Sequence, residues 1–211
     1  MERFAQFEQW ITGARAAPSR AMAESPFEDQ ELLRQLGKGN ETAFTALYER
    51  YQGPIYRFAL HMSGNTATAE EVTQEVFMLL IGNSKGYQGD KGPLGNYLFG
   101  VARNLTRRVV QRQRLDLPIE EEWLDTGDSG LTSDLDLLSE LSNTEQLELL
   151  RKTVLALPEQ YREVIALCDL EEMSYGDAAA LLECSPGTVA SRLHRARAML
   201  KTKLSCQKCM K

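Results

Sequence analysis

The sequence contains little of what enzymes and membrane proteins usually need. Two histidines and four cysteines stand among 211 residues, and no apolar run approaches the length of a membrane span. It has no phosphate loop ending in Gly-Lys-Ser/Thr, no zinc helix with paired histidines and no nucleophile elbow. Charged residues interrupt the N-terminus, so no signal peptide is expected. We expect a protein without catalytic activity, and the sparse cysteines suit the reducing cytoplasm.

Charge is unevenly distributed along the chain, whose net charge is −6. Residues 103–114 contain five arginines and no acid, and residues 192–211 contain seven lysines or arginines and no acid. Between them, residues 116–148 contain eleven acids and no lysine or arginine. Because phosphate binding follows local rather than overall charge, this pattern predicts two nucleic-acid contacts separated by a segment that avoids DNA.

Apolar residues recur at helical spacing through most of the chain, without a convincing strand. We predict an all-α fold of two small helical domains joined by an acidic flexible linker, the C-terminal domain being a helix-turn-helix. Gly53-Pro54 is expected to end a helix that Asn40 caps. The predicted divisions are an N-terminal extension 1–26, a first domain 27–115, a linker 116–143, a second domain 144–204 and a tail 205–211.

The predicted helix-turn-helix occupies residues 174–204. Ser185 is expected to cap its second helix, with Pro186 at the first helical position, where a missing N–H is tolerated. Four apolar residues in this helix keep the spacing of one buried stripe, and arginines occupy the other faces: the stripe is Val189, Leu193, Ala196 and Leu200. Such a helix suits the DNA major groove, although a solvated basic helix has the same pattern.

A second basic helix is predicted from about Asn96 to Arg114. Side chains three or four residues apart share a face, so its arginines form ridges that can grip phosphates. Tyr97 and Phe99 at its start are candidates for stacking on unpaired bases, with core packing as the alternative, more so for Phe99.

Two other polar segments each allow two interpretations. The acidic helix surface Glu70, Glu71, Gln74 and Glu75 is either a docking site for a basic protein or a solvated face. Cys206-x-x-Cys209 in the tail is half of a metal site or a redox pair.

Several motifs in order resemble a bacterial extracytoplasmic-function (ECF) sigma factor, the minimal sigma with only regions two and four. They are Phe44-x-x-Leu47-Tyr48-x-x-Tyr51, Ala69-Glu-Glu-Val-Thr-Gln-Glu-Val-Phe-Met, Tyr97-Leu-Phe-Gly-Val-Ala-Arg-Asn104, Leu157-Pro-Glu-Gln-Tyr-Arg-Glu-Val and Gly187-Thr-Val-Ala-Ser-Arg-Leu-His-Arg-Ala-Arg197. Glu183 stands where the family usually has a turn glycine, and Tyr97 where it usually has tryptophan.

The resemblance implies a transcription initiation factor that binds core RNA polymerase and promoter DNA. Region four would read the upstream element through Ser185, Thr188, Ser191, Arg192, Arg195 and Arg197. Region two would melt and read the downstream element through Lys91, Asn96, Tyr97, Arg103, Asn104, Arg107, Arg108, Gln111 and Arg112. Polymerase would bind at Glu70, Glu71, Gln74 and Glu75.

The resemblance also implies control by an anti-sigma factor. A metal- or redox-sensitive tail at Cys206 and Cys209 is the rival mode of control, and no cofactor is otherwise required. The alternative functions are a stand-alone helix-turn-helix regulator, which would bind duplex DNA without polymerase, and a protein–protein adaptor, which would show no salt-dependent DNA binding.

Overall fold

A computed structural model describes residues 26–82, 92–116 and 143–209, with the helical backbone alone at 26–27, 114–116, 143–148 and 205–209. These residues form helices and contain no strand, which confirms the all-α prediction for the part of the chain described. The N-terminal helices are α1 (Pro26–Leu36), α2 (Glu41–Ser63), α3 (Thr66–Gly82) and α4 (Leu94–Asp116). The C-terminal elements are α5 (Asn143–Leu155), α6 (Glu159–Val164), a π-helical segment (Ile165–Leu170), α7 (Tyr175–Leu181) and α8 (Pro186–Cys209).

The core of the N-terminal domain lies between α2, α3 and α4. Phe58 and Phe99 are fully buried and meet edge to face, with ring centroids 5.6 Å apart. The side chain of Asn40 caps α2 by accepting the N–H of Thr42 at 3.0 Å, as the sequence predicted. Phe99 is therefore a core residue, whereas Tyr97 is only half-buried.

The prediction that Gly53-Pro54 ends a helix is wrong, because α2 continues through both residues to Ser63. Proline removes one helical hydrogen bond and usually clashes with the Cβ of the preceding residue, but Gly53 has no Cβ. Tyr51 and Ile55 on either side are both buried in one continuous stripe. Burial of that stripe outweighs the lost hydrogen bond.

The C-terminal domain contains the predicted helix-turn-helix, formed by α7 and α8. Ser185 accepts the N–H of Thr188 at 3.1 Å, and α8 begins at Pro186, so the predicted cap and first helical residue are confirmed. The turn between the helices places Glu183 at φ 53°, in the left-handed region. A glycine at this position would adopt that conformation without a steric cost.

The two domains pack against each other along one side of each. A Cβ built on Gly64, at the end of α2, would lie 2.9 Å from a methyl carbon of Leu155 in α5. Arg162 of α6 donates to the carbonyl oxygen of Met62 at 2.8 Å. Within the described residues, no helix has both the length and the apolar character needed to cross a membrane.

Candidate nucleic-acid interface

The N-terminal half of α8 presents polar side chains to solvent. Its predicted apolar stripe is at most 1% exposed, which confirms the buried face: Val189, Leu193, Ala196 and Leu200. On the outer face Ser191 and Arg195 are exposed and Arg192 is half-buried. The hydroxyls of Ser185 and Thr188 lie 2.9 Å apart at the start of the helix. The structure thus brings the start of α8, Ser191, Arg192 and Arg195 onto an accessible surface.

Arg197, also predicted to contact DNA, is bound inside its own domain. Its Nε and Nη2 donate to the two carboxylate oxygens of Asp169 at 2.9 and 2.6 Å. The Asp169 side chain is 2% exposed, and this burial raises its pKa while the hydrogen bonds from Arg197 oppose the rise. Arg197 therefore neutralises a buried carboxylate within its own domain. It could contact DNA only if its ion pair with Asp169 were broken.

The second basic helix, α4, carries two ridges with different surroundings. Leu98, Phe99 and Ala102 bury its core side. One polar ridge faces solvent, with all its members exposed: Asn104, Arg108, Gln111 and Arg112. This outer ridge is available to phosphates as it stands.

The other ridge of α4, formed by Arg103 and Arg107, faces the C-terminal domain. Arg103 Nε donates to Glu163 Oε1 at 2.5 Å, in a pair whose side chains are only 16% and 5% exposed. Arg107 Nε donates to Glu159 Oε1 at 2.5 Å, in an exposed pair. Two arginines four residues apart on α4 therefore pair with two glutamates four residues apart on α6.

A third polar contact joins the start of α4 to the helix-turn-helix. Asn96 Nδ2 donates to Asp177 Oδ1 at 2.6 Å, and the Asn96 Oδ1 atom is buried without a partner among the described residues. Sequence reasoning placed Asn96, Arg103 and Arg107 in the DNA interface but missed the acids that hold them. The spacing of Glu159 and Glu163 in the sequence indicates that the two acids share one helix face. It does not show which residues of another helix they contact.

The predicted polymerase-binding residues form an exposed ridge on α3. Glu70, Glu71, Gln74 and Glu75 are all exposed, opposite buried Val76. The ridge continues into large apolar side chains that sequence reasoning did not single out, with 65%, 41% and 49% of their surface exposed: Met78, Leu79 and Ile81. Buried residues recur every three or four positions along an amphipathic helix, and these three residues fall between those positions. Their exposure could therefore have been predicted from the sequence.

Two of the predicted sites lie outside the described residues. Lys91 belongs to the undescribed stretch 83–91. Cys206 and Cys209 lie on the α8 backbone, but their side chains are not described. Both assignments stay predictions.

Comparison with known proteins gives two family models that together cover most of the described chain. The model for Sigma-70 region 2 matches residues 47–115, and that for Sigma-70 region 4 matches residues 147–200. The ECF RNA polymerase sigma factor SigW of Bacillus subtilis (strain 168) is 30% identical over 182 residues, which is 82% of this chain and 94% of the relative.

Solved structures agree with these matches. CnrH, in complex with the cytosolic domain of CnrY, superposes with a TM-score of 0.63 at 25% identity, covering 85% of this chain and 98% of that one. The sigma factor RpoE, in complex with the anti-sigma factor NepR from Bartonella quintana, has a TM-score of 0.61 at 22% identity, covering 77% and 96%.

Proposed function

Because the chain belongs to the extracytoplasmic-function sigma factors, we propose that it binds core RNA polymerase in the cytoplasm and directs it to specific promoters. It acts as a transcription initiation factor, without catalytic turnover and without a required cofactor. The observation that carries this proposal is the pairing of two basic helices, α4 and α8, on the two domains that match sigma regions two and four.

The upstream element is read by the N-terminal half of α8. Arg192 and Arg195 lie on its outer face, where arginine can donate two hydrogen bonds to the edge of guanine in the major groove. Ser185, Thr188 and Ser191 contact the flanking backbone. We leave Arg197 out of the reading set because Asp169 holds its guanidinium.

The downstream element is held by α4. Its outer ridge of Asn104, Arg108, Gln111 and Arg112 binds the phosphates and base edges. The segment 85–96 before it, which includes Lys91, captures a base flipped from the non-template strand. Unstacking a base costs a few kcal/mol, which phosphate contacts and stacking by Tyr97 must offset.

Polymerase docks on α3. The exposed acids Glu70, Glu71 and Glu75 offer charge complementarity to a basic partner, and the neighbouring Met78 adds apolar surface that becomes buried on binding.

Control by an anti-sigma factor is supported by the relatives. CnrH and RpoE were both solved with a bound partner, and NepR is described as an anti-sigma factor. We propose a partner of this kind for the present chain. A metal or thiol sensor at Cys206 and Cys209 is the rival, and it is rejected if Cys206→Ser/Cys209→Ser leaves the response to metal and oxidant unchanged.

The test is transcription in vitro with purified bacterial core RNA polymerase, on the DNA fragment upstream of the gene that encodes this chain. We expect start-site transcription that requires the chain. Arg195→Ala should reduce the free energy of promoter binding by about 1–3 kcal/mol, and only at promoters with one particular upstream base. Arg108→Ala should weaken binding to all promoters by a similar amount.

Lys201→Ala, an exposed change farther along α8, is the matched control. A footprint on duplex DNA without polymerase, and no transcription, would favour the stand-alone regulator. Absence of both, together with no salt-dependent DNA binding, would favour the adaptor.

A further inference from the structure

We propose that the C-terminal domain carries an acidic surface, formed by Glu159, Glu163 and Asp177, that occupies the inner ridge of α4 in place of promoter phosphates. The chain is then its own competitive inhibitor at the downstream element, and the two domains must separate before α4 can use that ridge. This inference rests on the proposed function, since it assigns DNA as the competitor.

The geometry of the contact matches the chemistry of a phosphate contact. Each acid places a carboxylate oxygen on a side chain that the sequence assigns to DNA, with donor–acceptor distances of 2.5, 2.5 and 2.6 Å: Arg103–Glu163, Arg107–Glu159 and Asn96–Asp177. Carboxylate and phosphate oxygens make the same charge-assisted hydrogen bonds to guanidinium groups. One set of donors therefore has two mutually exclusive acceptors.

The three contacts are unequal. Glu163 is 5% exposed and Arg103 16%, so both charges depend on each other for hydrogen bonds once removed from water. The Arg107–Glu159 pair is nearly half exposed on each side and weakens readily with salt. Of these two ion pairs, Arg103–Glu163 is the more buried, and ionic strength weakens the exposed Arg107–Glu159 pair first.

Among the described residues, the other proposed binding surfaces keep exposed charged side chains in the closed chain. Arg195 on α8 and Glu71 on α3 are exposed, as is Arg108 on the outer ridge of α4. The closed chain is therefore able to meet polymerase and the upstream duplex while the inner ridge of α4 stays covered. Separation of the domains becomes a step between docking and capture of the downstream strand.

A cleft of about 620 Å³ lies beside this contact, lined by side chains from both domains, among them Arg107, Gln111, Leu157 and Glu159. The interface at its exposed edge is therefore incompletely packed. A single-stranded segment has room to approach Arg107 there and displace Glu159 first.

The test compares the full chain with the variant Glu159→Gln/Glu163→Gln, without polymerase. Its radius of gyration is measured by small-angle X-ray scattering, and its affinity for a fluorescent single-stranded oligothymidine is measured by anisotropy at low salt. We expect a larger radius and a dissociation constant lower by at least fivefold, the smaller end of typical couplings between sites.

The matched control is Glu41→Gln/Glu49→Gln, which removes two exposed acids from α2 and changes the net charge equally. It should leave the radius unchanged and bind oligothymidine like the unmodified chain. Glu159→Gln alone, at an exposed position, provides a second variant if the double one does not fold, with the same direction and a smaller effect.

An unchanged radius in both test variants, or an increase in radius without tighter binding, overturns the inference. Equal tightening in the control also overturns it, because the effect would then be one of net charge. These outcomes are independent of the transcription assay, so loss of sigma activity and loss of self-inhibition are distinguished.

Discussion

At the residue scale, Asp169 is a carboxylate whose burial is tolerable only because α8 supplies a cation. It is 2% exposed, and both oxygens accept from Arg197. Removing one partner of a buried pair leaves an uncompensated charge, which costs about 3–5 kcal/mol. Arg197→Ala should therefore lower the free energy of unfolding by about this amount, measured by urea titration.

The control for that measurement is Arg195→Ala, two residues away on the exposed face of α8. It should leave the free energy of unfolding within about 0.5 kcal/mol of the unmodified chain, as surface changes usually do. If the two variants have the same free energy of unfolding, Arg197 does not stabilise the fold by neutralising Asp169.

Glu183 is a second residue at which local backbone conformation affects stability. Its φ of 53° lies in the left-handed region, where a side chain meets the following carbonyl. Glu183→Gly should relieve that contact, although glycine loses more entropy on folding, so the net gain in unfolding free energy is about 0.5–1 kcal/mol. Thermal unfolding of the two chains checks it. A lower melting temperature for the glycine variant would show that the backbone at Glu183 is not strained.

At the scale of the element, α3 combines a buried stripe with a face that stays exposed among the residues that the structure describes. Glu71→Lys/Glu75→Lys should weaken binding to core polymerase about tenfold, since like charges at a docking surface oppose binding. Binding is measured by fluorescence anisotropy with labelled chain. Glu41→Lys/Glu49→Lys on α2 reverses the same number of exposed charges and should bind normally. Equal weakening by both pairs would remove α3 from the docking surface.

Helices were predictable from sequence because apolar periodicity and caps are local signals. The buried stripe of α8 and the caps Asn40 and Ser185 follow from a few neighbouring residues. Continuation of α2 through Pro54 was not predictable in this way, because burial of Tyr51 and Ile55 against other helices decides it. Interior packing overrode a local stop signal.

Partners of the candidate site residues were less predictable than the residues themselves. Arg103 and Glu163 are 60 positions apart, and no period of the sequence links them. The type and spacing of side chains indicate that a helix is basic, whereas only the packing of the domains shows which of its arginines are already bound.

At the scale of the whole molecule, the buried Glu171 and the half-buried His61, both close to the contact between the domains, have opposing pH dependence. Burial, opposed by hydrogen bonds from Arg57, raises the pKa of Glu171 from its usual 4.5 to about 7, and Glu172 adds to the rise. Burial, together with Arg151 and Arg57, lowers the pKa of His61 from 6.5 to about 4. Both groups sit near Arg57, which joins α2 to Glu171 at 2.6 Å.

The signs of the two contributions follow from proton binding. Between pH 4.5 and 7 the folded chain binds more protons at Glu171 than the unfolded chain, so the free energy of unfolding falls as pH rises. Between pH 4 and 6.5 it binds fewer at His61, so that contribution rises with pH. Each is at most about 3 kcal/mol, and they oppose each other between pH 4.5 and 6.5.

Glu171→Gln and His61→Gln should therefore change the pH profile in opposite directions. Relative to the unmodified chain, Glu171→Gln gains stability as pH rises from 4.5 to 7, and His61→Gln loses it from 4 to 6.5. Urea unfolding across this range gives both curves, and two differences of the same sign would refute the assignment.

The pairing of Arg103 with Glu163 also bears on how such a chain can be recombined. A hybrid that joins one relative's N-terminal half to another's C-terminal half inherits an arginine ridge and an acidic surface that were not matched to each other. If the second relative lacks acids at the positions of Glu159, Glu163 and Asp177, the inner ridge of α4 stays exposed in the hybrid. The hybrid is then expected to bind nucleic acid without regard to sequence. Exchange of modules between paralogues is then constrained by a surface that neither promoter element touches.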